Sequence, residues 1–181
     1  MGACGTDTVA GSVSGTVKGQ TYAIKDAISA SVAITGNTGT FHTAAILLAN
    51  TSGMCADITA NKQPPSVSVV SISLETVNGT TLNTPTMPGT FAIYQGSGTP
   101  PAMAATLSAK VYDATCKEVT TDTGTATTGT VTLTAISGNQ FSGHYDVVMD
   151  SGDHITGSFD PEPCPALQTA LDSTTPPACM N

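Results

Sequence analysis

The side chains whose types and spacing could do chemistry are concentrated in one stretch, Gly129 to Asp160, which carries His144, Asp146, Asp150, Asp153, His154 and Asp160. Imidazole and carboxylate on one surface can bind zinc or copper, and Asp150-Ser151-Gly152-Asp153 offers a calcium ion two hard oxygens. The plainer reading is two cross-strand His/Asp pairs on a solvated face, each worth less than about 1 kcal/mol. The elements that must position these groups decide between the two. Val131, Leu133 and Ala135 alternate with threonines, and Phe141, Gly143, Tyr145, Val147 and Met149 alternate with polar residues, so both runs read as half-buried strands. Ile155, Gly157 and Phe159 supply a third row. A slip of one residue turns a whole row to the wrong face, so three-residue loops are expected at Gly138-Asn139-Gln140 and Ser151-Gly152-Asp153. That register sets Val131 against Val147, Leu133 against Tyr145, Met149 against Ile155 and Tyr145 against Phe159. On the outer face it sets Asp150 opposite His154 and His144 opposite Asp160. The two histidines then lie toward opposite ends of the hairpin, which works against one compact metal site.

Other chemistries find less support. A Ser/His/Asp hydrolase needs a serine on a strained elbow, and no GxSxG occurs; the remaining histidine, His42, lies beside Phe41 at the start of a strand. Gly96-Ser97-Gly98 sits between strands rather than ahead of a helix, so no phosphate-cradling loop is read there. Tyr22, Tyr94, Tyr112 and Tyr145 are possible sugar platforms, but they are scattered and Tyr145 belongs to a core row. An enzyme therefore ranks behind a binding or structural module and behind a metal-binding protein.

Composition narrows the class. Aromatics are 4% of the 181 residues and Trp is absent, so a core must be built from Val, Ile, Leu, Ala and Met. Charged residues are 10%, with Ser and Thr covering the surface instead, which suits an exported β protein. The formal charge is −8, and five scattered lysines cannot replace the counterions of a nucleic acid. No apolar run reaches the roughly 18 to 20 residues of a membrane-spanning helix. Membrane contact is expected only through an attached lipid.

Five cysteines stand at Cys4, Cys55, Cys116, Cys164 and Cys179, without CxxC spacing. Gly2-Ala3-Cys4, followed by a polar tether, reads as the end of a lipoprotein signal and its acylated cysteine. Four cysteines remain, giving two disulfides in an oxidising compartment. Counting strands as an up-and-down series brings Cys55 and Cys164 to one end, favouring Cys55–Cys164 with Cys116–Cys179. The competing arrangement, Cys55–Cys116 with Cys164–Cys179, closes the tail on itself.

Along the chain, Thr8 to Val17 alternates as a first strand, Tyr22 and Ile24 begin a return, and Ile28 to Ile34 continues it. Ala44 to Ala49 is apolar at consecutive positions and reads as a central strand buried on both faces. Met54 to Ala60 predicts a turn or two of helix stopped by Pro64-Pro65. The apolar phase switches between Val69 and Val70, which predicts a bulge. Phe91 to Tyr94 and Ala105 to Val111 follow as strands, the latter with a wettable outer row of Thr106, Ser108, Lys110 and Tyr112. Thr120 to Thr128 reads as a Thr-rich link. The tail from Pro161 has five prolines and one possible helical turn at Ala166 to Leu171.

Three segments carry a resemblance: Ser14-Gly15-Thr16-Val17-Lys18-Gly19 with Asp26-Ala27; Pro88-Gly89-Thr90-Phe91-Ala92-Ile93-Tyr94; and Gly143-His144-Tyr145-Asp146-Val147 with Asp153 to Asp160. They resemble a family of small, uncharacterised bacterial cell-envelope lipoproteins. The resemblance implies export and acylation of Cys4 and names no catalytic residue. The expectation is an all-β domain of about nine strands at 9–160, an antiparallel sandwich or flattened barrel with at most one or two short helices. A lipoprotein tether at 1–8 precedes it, and a disulfide-stapled tail at 161–181 follows. Such a protein sits at the outer membrane or cell surface and, without catalysis, contacts a polysaccharide or an envelope protein, or alternatively binds a divalent metal at the His144/His154 hairpin.

Overall fold

In the chain's computed structural model, residues 10–36, 39–173 and 175–180 are described. Cys4 and the tether lie outside them. The strands are β1 (Gly11–Ser14), β2 (Asp26–Gly36), β3 (Gly39–Ala49), β4 (Lys62–Gln63), β5 (Ser68–Asn78), β6 (Thr81–Asn83), β7 (Gly89–Ile93), β8 (Met103–Val111), β9 (Gly124–Ser137), β10 (Gln140–Met149), β11 (His154–Phe159), β12 (Glu162–Pro163) and β13 (Ala178–Cys179). Two short helices, α1 (Met54–Thr59) and α2 (Ala166–Asp172), complete them. The β-rich expectation with two short helices holds.

The layering differs from a sandwich. Ten strands form one line, β1-β11-β10-β9-β7-β8-β5-β3-β2-β12, with β6 paired to β5 alone, and β13 and β4 form a separate small pair. Most neighbours are antiparallel, but β7 runs parallel to β8 and β12 parallel to β2. The connection after Tyr94 carries the chain back before β8 begins, so β8 starts beside β7 in the same direction. Inward residues from strands far apart in this line, Ile46 and Leu48 at one end and Tyr145, Ile155 and Phe159 at the other, fall in a single buried cluster. Only a sheet curled toward a half-barrel closes its concave face in that way, and with no tryptophan the interior is filled by many small side chains.

The alternation of β9, β10 and β11 is as read, but the register is not. The first turn has two residues, since Gln140 pairs with Ser137, and a bulge at Thr134 then restores the phase. Ala135 is thereby exposed and Ile136 packs against the core instead. Tyr145 lies opposite Val131 and Gly157, and Phe159 opposite Gly143. The expected Tyr145–Phe159 pair fails because each ring needs the space a glycine leaves. A Cβ on Gly157 would run into the Tyr145 hydroxyl and the Ser12 carbonyl, and one on Gly143 into the Phe159 ring and the Thr132 carbonyl. Tyr145 uses that gap to donate from its hydroxyl to the Ser12 carbonyl at 2.9 Å, tying β10 across β11 to β1.

Three further readings change. The first strand is only β1, and β9 begins at Gly124 inside the stretch read as a Thr-rich link. No bulge occurs at Val69-Val70, because β5 keeps unbroken register with β3 and β8. Val67 and Val69 belong to an outer apolar cluster, while Val70, Ile72 and Leu74 face the core. The phase change marks a strand with both faces covered at its start. Ala44 to Ala49 is buried on both faces as expected, with Ile46 and Leu48 inward and Ala45 packed outward against Leu167 of α2.

Beyond its short pairing with β12, β2 is an open edge. Gln168 of α2 covers it with its amide, accepting from the Ala33 N–H at 2.6 Å and donating to the Ala33 carbonyl at 2.8 Å. A side chain thus completes a ladder that would otherwise recruit another chain.

Gly157→Ala is expected to destabilise the fold by about 1–3 kcal/mol through overpacking against Tyr145. Chemical denaturation checks this, and Gly157→Ala combined with Tyr145→Phe should recover part of the loss because the colliding hydroxyl is gone.

Candidate functional site

The concave interior is packed, so the site lies on the convex face. Its floor is the outer rows of β3, β5 and β8, through Leu47, Val69 and Lys110, with Tyr112 just beyond β8. Its roof is α1, through Met54 and Ile58, and α2, through Leu167 and Leu171. Between them runs a half-open groove of about 350 Å³. Leu171 is 46% exposed at its rim and is one of two large apolar side chains left in water among the described residues, the other being Met87.

Local sequence explains how the roof is set. Gly53 enters α1 with φ 81°, a left-handed turn that suits glycine. No side chain of α1 caps its start; Asp26 of β2 accepts from the Met54 N–H at 2.9 Å instead. Cys55–Cys164 then ties α1 to the residue before Pro165 and α2, across a sequence separation of 109. Cys116–Cys179 ties the loop after β8 to β13, which pairs with β4 at the end of the groove. Both bridges follow the arrangement that strand counting favours.

The polar groups gather at that end. Gln63 lines the groove, and its carbonyl accepts from the Met180 N–H at 2.9 Å. Its side-chain Nε2 is buried and has no hydrogen-bond partner among the described residues. Lys110 donates to Glu118 at 2.9 Å. That bond is the first cause holding Lys110 above and Glu118 below their ordinary ranges. Burial raises the Tyr112 hydroxyl. The adjoining loop is set by Asp113, whose carboxylate accepts from the Lys117 N–H, the Thr115 N–H and the Thr115 hydroxyl, lowering its pKa.

The residues singled out by type are distributed elsewhere. His154 Nε2 meets Asp146 Oδ1 at 2.7 Å, with side chains 58% and 66% exposed. The expected partners do not face each other, because the β10–β11 register is displaced by two residues and puts His154 opposite Val148 and His144 opposite Ser158. Asp150 approaches Lys18 at 3.9 Å and accepts from the Thr125 N–H. Asp153 accepts from Ser151 and from the Lys18 N–H, which lower its pKa. Asp160 accepts from Ser142 at 2.7 Å and Gln140 at 3.2 Å. Among the described residues no three His, Cys, Asp or Glu side chains gather in a metal-holding group.

Of the tyrosines, Tyr22 and Tyr145 are buried, and burial pushes the Tyr22 hydroxyl up to about 12. Tyr94 donates to the Gly98 carbonyl within its own loop. Only Tyr112 lines the groove. The groove itself escaped reading from residue types because it contains no catalytic pattern. The displaced phase of Val67 and Val69, on a strand already apolar on its other face, was its one local signal.

Comparison with known proteins finds no matching family model, no matching curated protein and no matching solved structure. The two disulfides point to an oxidising compartment outside the cytoplasm. Among the described residues no helix is long and apolar enough to cross a membrane.

Two outcomes follow. His154→Ala is expected to change stability by less than about 1 kcal/mol, because its pair is solvated; denaturation at two salt concentrations checks it. Asp113 and Glu118 have depressed folded-state pKa values, so their stabilising effect is complete above the ordinary carboxylate range and is lost as pH falls through the folded values. Protection of the Thr115 and Lys117 amides, relative to their intrinsic exchange rates, should therefore fall below about pH 4, and Asp113→Asn should bring that loss to neutral pH.

Proposed function

We propose that this chain is an exported, non-catalytic binding module that holds an apolar-bodied small molecule of the cell envelope in the groove between the convex sheet face and α1/α2. The observation that carries the reading is the groove's construction, an apolar cleft of about 350 Å³ whose covering segments are tied down by two disulfides. A pocket of that size with few polar groups is the usual form of a small-ligand site, which lies at the lower end of about 300–1,000 Å³. The likeness to envelope lipoproteins supports export and a lipid on Cys4, which would keep the module beside the membrane from which such a molecule comes. A polysaccharide is a poorer occupant, since the groove offers one tyrosine and no facing ring.

The test is fluorescence of N-phenylnaphthylamine, which brightens in apolar sites. The oxidised protein should bind it saturably. Leu171→Asp, at the exposed rim, should weaken binding about tenfold or more by removing apolar contact and adding charge, and Met87→Asp should leave it unchanged. Reduction of both disulfides should also weaken it. Equal effects of Leu171→Asp and Met87→Asp, or a glycan that binds independently of Leu171→Asp with no probe uptake, would reject the groove.

A further inference from the structure

We infer that the groove's ligand is a single-chain carboxylate amphiphile of the free fatty-acid type, with its alkyl chain under α1 and α2 and its carboxylate at Gln63 and Lys62. The inference rests on the groove reading above and adds the chemistry of the occupant. Three observations converge on it.

Gln63 Nε2 carries two N–H donors, is sealed from solvent and meets no acceptor among the described residues. A buried donor left unmet is unfavourable, and such groups are normally satisfied. The terminal torsion of glutamine is soft, so a rotation of the amide turns these donors into the groove that Gln63 already lines. What they require there is an oxygen acceptor.

A cation without an ion-pair partner among the described residues stands near that acceptor in an acidic protein. Lys62 and Lys110 line the groove against Asp57 alone, whereas the whole chain carries −8. Lys110 shares its charge with Glu118 at 2.9 Å, while Lys62 has no carboxylate within ion-pair distance among the described residues. Lys62 therefore favours an anionic oxygen over a neutral one at this end.

Most of the remaining lining is hydrocarbon, from Leu47, Met54, Ile58, Val69, Leu167 and Leu171, with only the short polar side chains of Thr51, Asn61, Ser71 and Thr175 and the Tyr112 ring among them. A peptide would carry donors and acceptors along its whole length and strand them against these side chains. One alkyl chain brings a single polar head to a groove with a single unmet amide. About 350 Å³ suits one chain rather than a two-tailed lipid.

Displacement of N-phenylnaphthylamine by decanoate and by decanol, at neutral pH and below micelle-forming concentrations, tests the inference on the oxidised protein. Decanoate should displace the probe about tenfold better than decanol, the difference made by a charge-assisted hydrogen bond. Gln63→Leu should remove most of that preference while leaving decanol unchanged. Lys62→Gln, at an exposed position that the fold tolerates, should reduce it by a smaller factor that disappears in high salt.

Equal displacement by acid and alcohol overturns the carboxylate assignment while the groove reading survives. Failure of both, with saturable probe binding also absent, removes the groove reading itself. Two further arms separate other occupants: tighter binding to phosphatidylglycerol vesicles than to monomeric decanoate, or to an apolar peptide irrespective of its terminal carboxylate, overturns the proposal in favour of a membrane surface or a protein partner.

Discussion

An aromatic ring laid over a glycine of the neighbouring strand, twice in succession, holds this molecule in its register. Tyr145 faces Gly157 and Phe159 faces Gly143, and each glycine is closed to any Cβ by the opposing ring and by backbone. The two contacts are reciprocal, since each strand contributes one ring and one glycine, so sliding β11 by two residues would bring both rings together and leave both gaps empty. With Tyr145 reaching on to the Ser12 carbonyl, three strands are pinned at one margin of the sheet by one side chain. In a core without tryptophan, these are among the largest fully buried groups, and the small aliphatics of β3, β5 and β8 pack against the surface they define. The curl follows from that requirement. Small side chains fill only a narrow interior, so the sheet must wrap closely to exclude water.

The alternation in the sequence carried much of this architecture. Period-two rows identified β8 to β11 and the consecutive apolar run identified β3, whereas α1 stops at Thr59, ahead of β4 and of the Pro64-Pro65 expected to end it. Register was less accessible because alternation specifies the face of a residue but not which partner it meets. A displacement of two residues preserves every inward row, and only the volumes of Tyr145 and Phe159 exclude it. The Thr134 bulge was hidden for a related reason. It converts a two-residue turn into the phase that a three-residue loop would have given, so the pattern before and after is the same. Consequently the His/Asp set was legible as a surface but not as a set of contacts, and Asp146, rather than Asp150, meets His154.

The disulfides were legible as a pairing, though their mechanical role was not. Each joins pieces that could not hold themselves in place. α1 and α2 are short, the former capped from β2 rather than by its own residues, and β4 and β13 each pair over two residues. Closing loops of 109 and 63 residues restricts the unfolded chain, an effect of about 4–5 kcal/mol each in the chain-entropy account. Their position matters as much as their magnitude, because both lie on the convex side and neither crosses the aliphatic interior. The covalent reinforcement therefore serves the added layer, while the sheet is held by its own packing.

That division fixes where a ligand can be accommodated. A half-barrel with a wide lumen would bind inside, as an open cup does, but here Leu107, Phe91, Val131 and Tyr145 occupy the concave space. The convex face of an isolated sheet would be nearly flat and would carry alternating hydroxyls of Ser and Thr. It becomes apolar where Ile28, Ala30, Val32, Ala45, Leu47, Val67 and Val69 replace them, and the Pro-rich tail returns over it as α2 and β13. Met54 of α1 and Leu167 of α2 pack onto the sheet, and beside these contacts remains a cleft lined largely by hydrocarbon, with Lys62, Gln63 and Lys110 among its polar side chains. That cleft, with hydrocarbon and a few polar side chains in its lining, is the feature on which the proposed binding role rests.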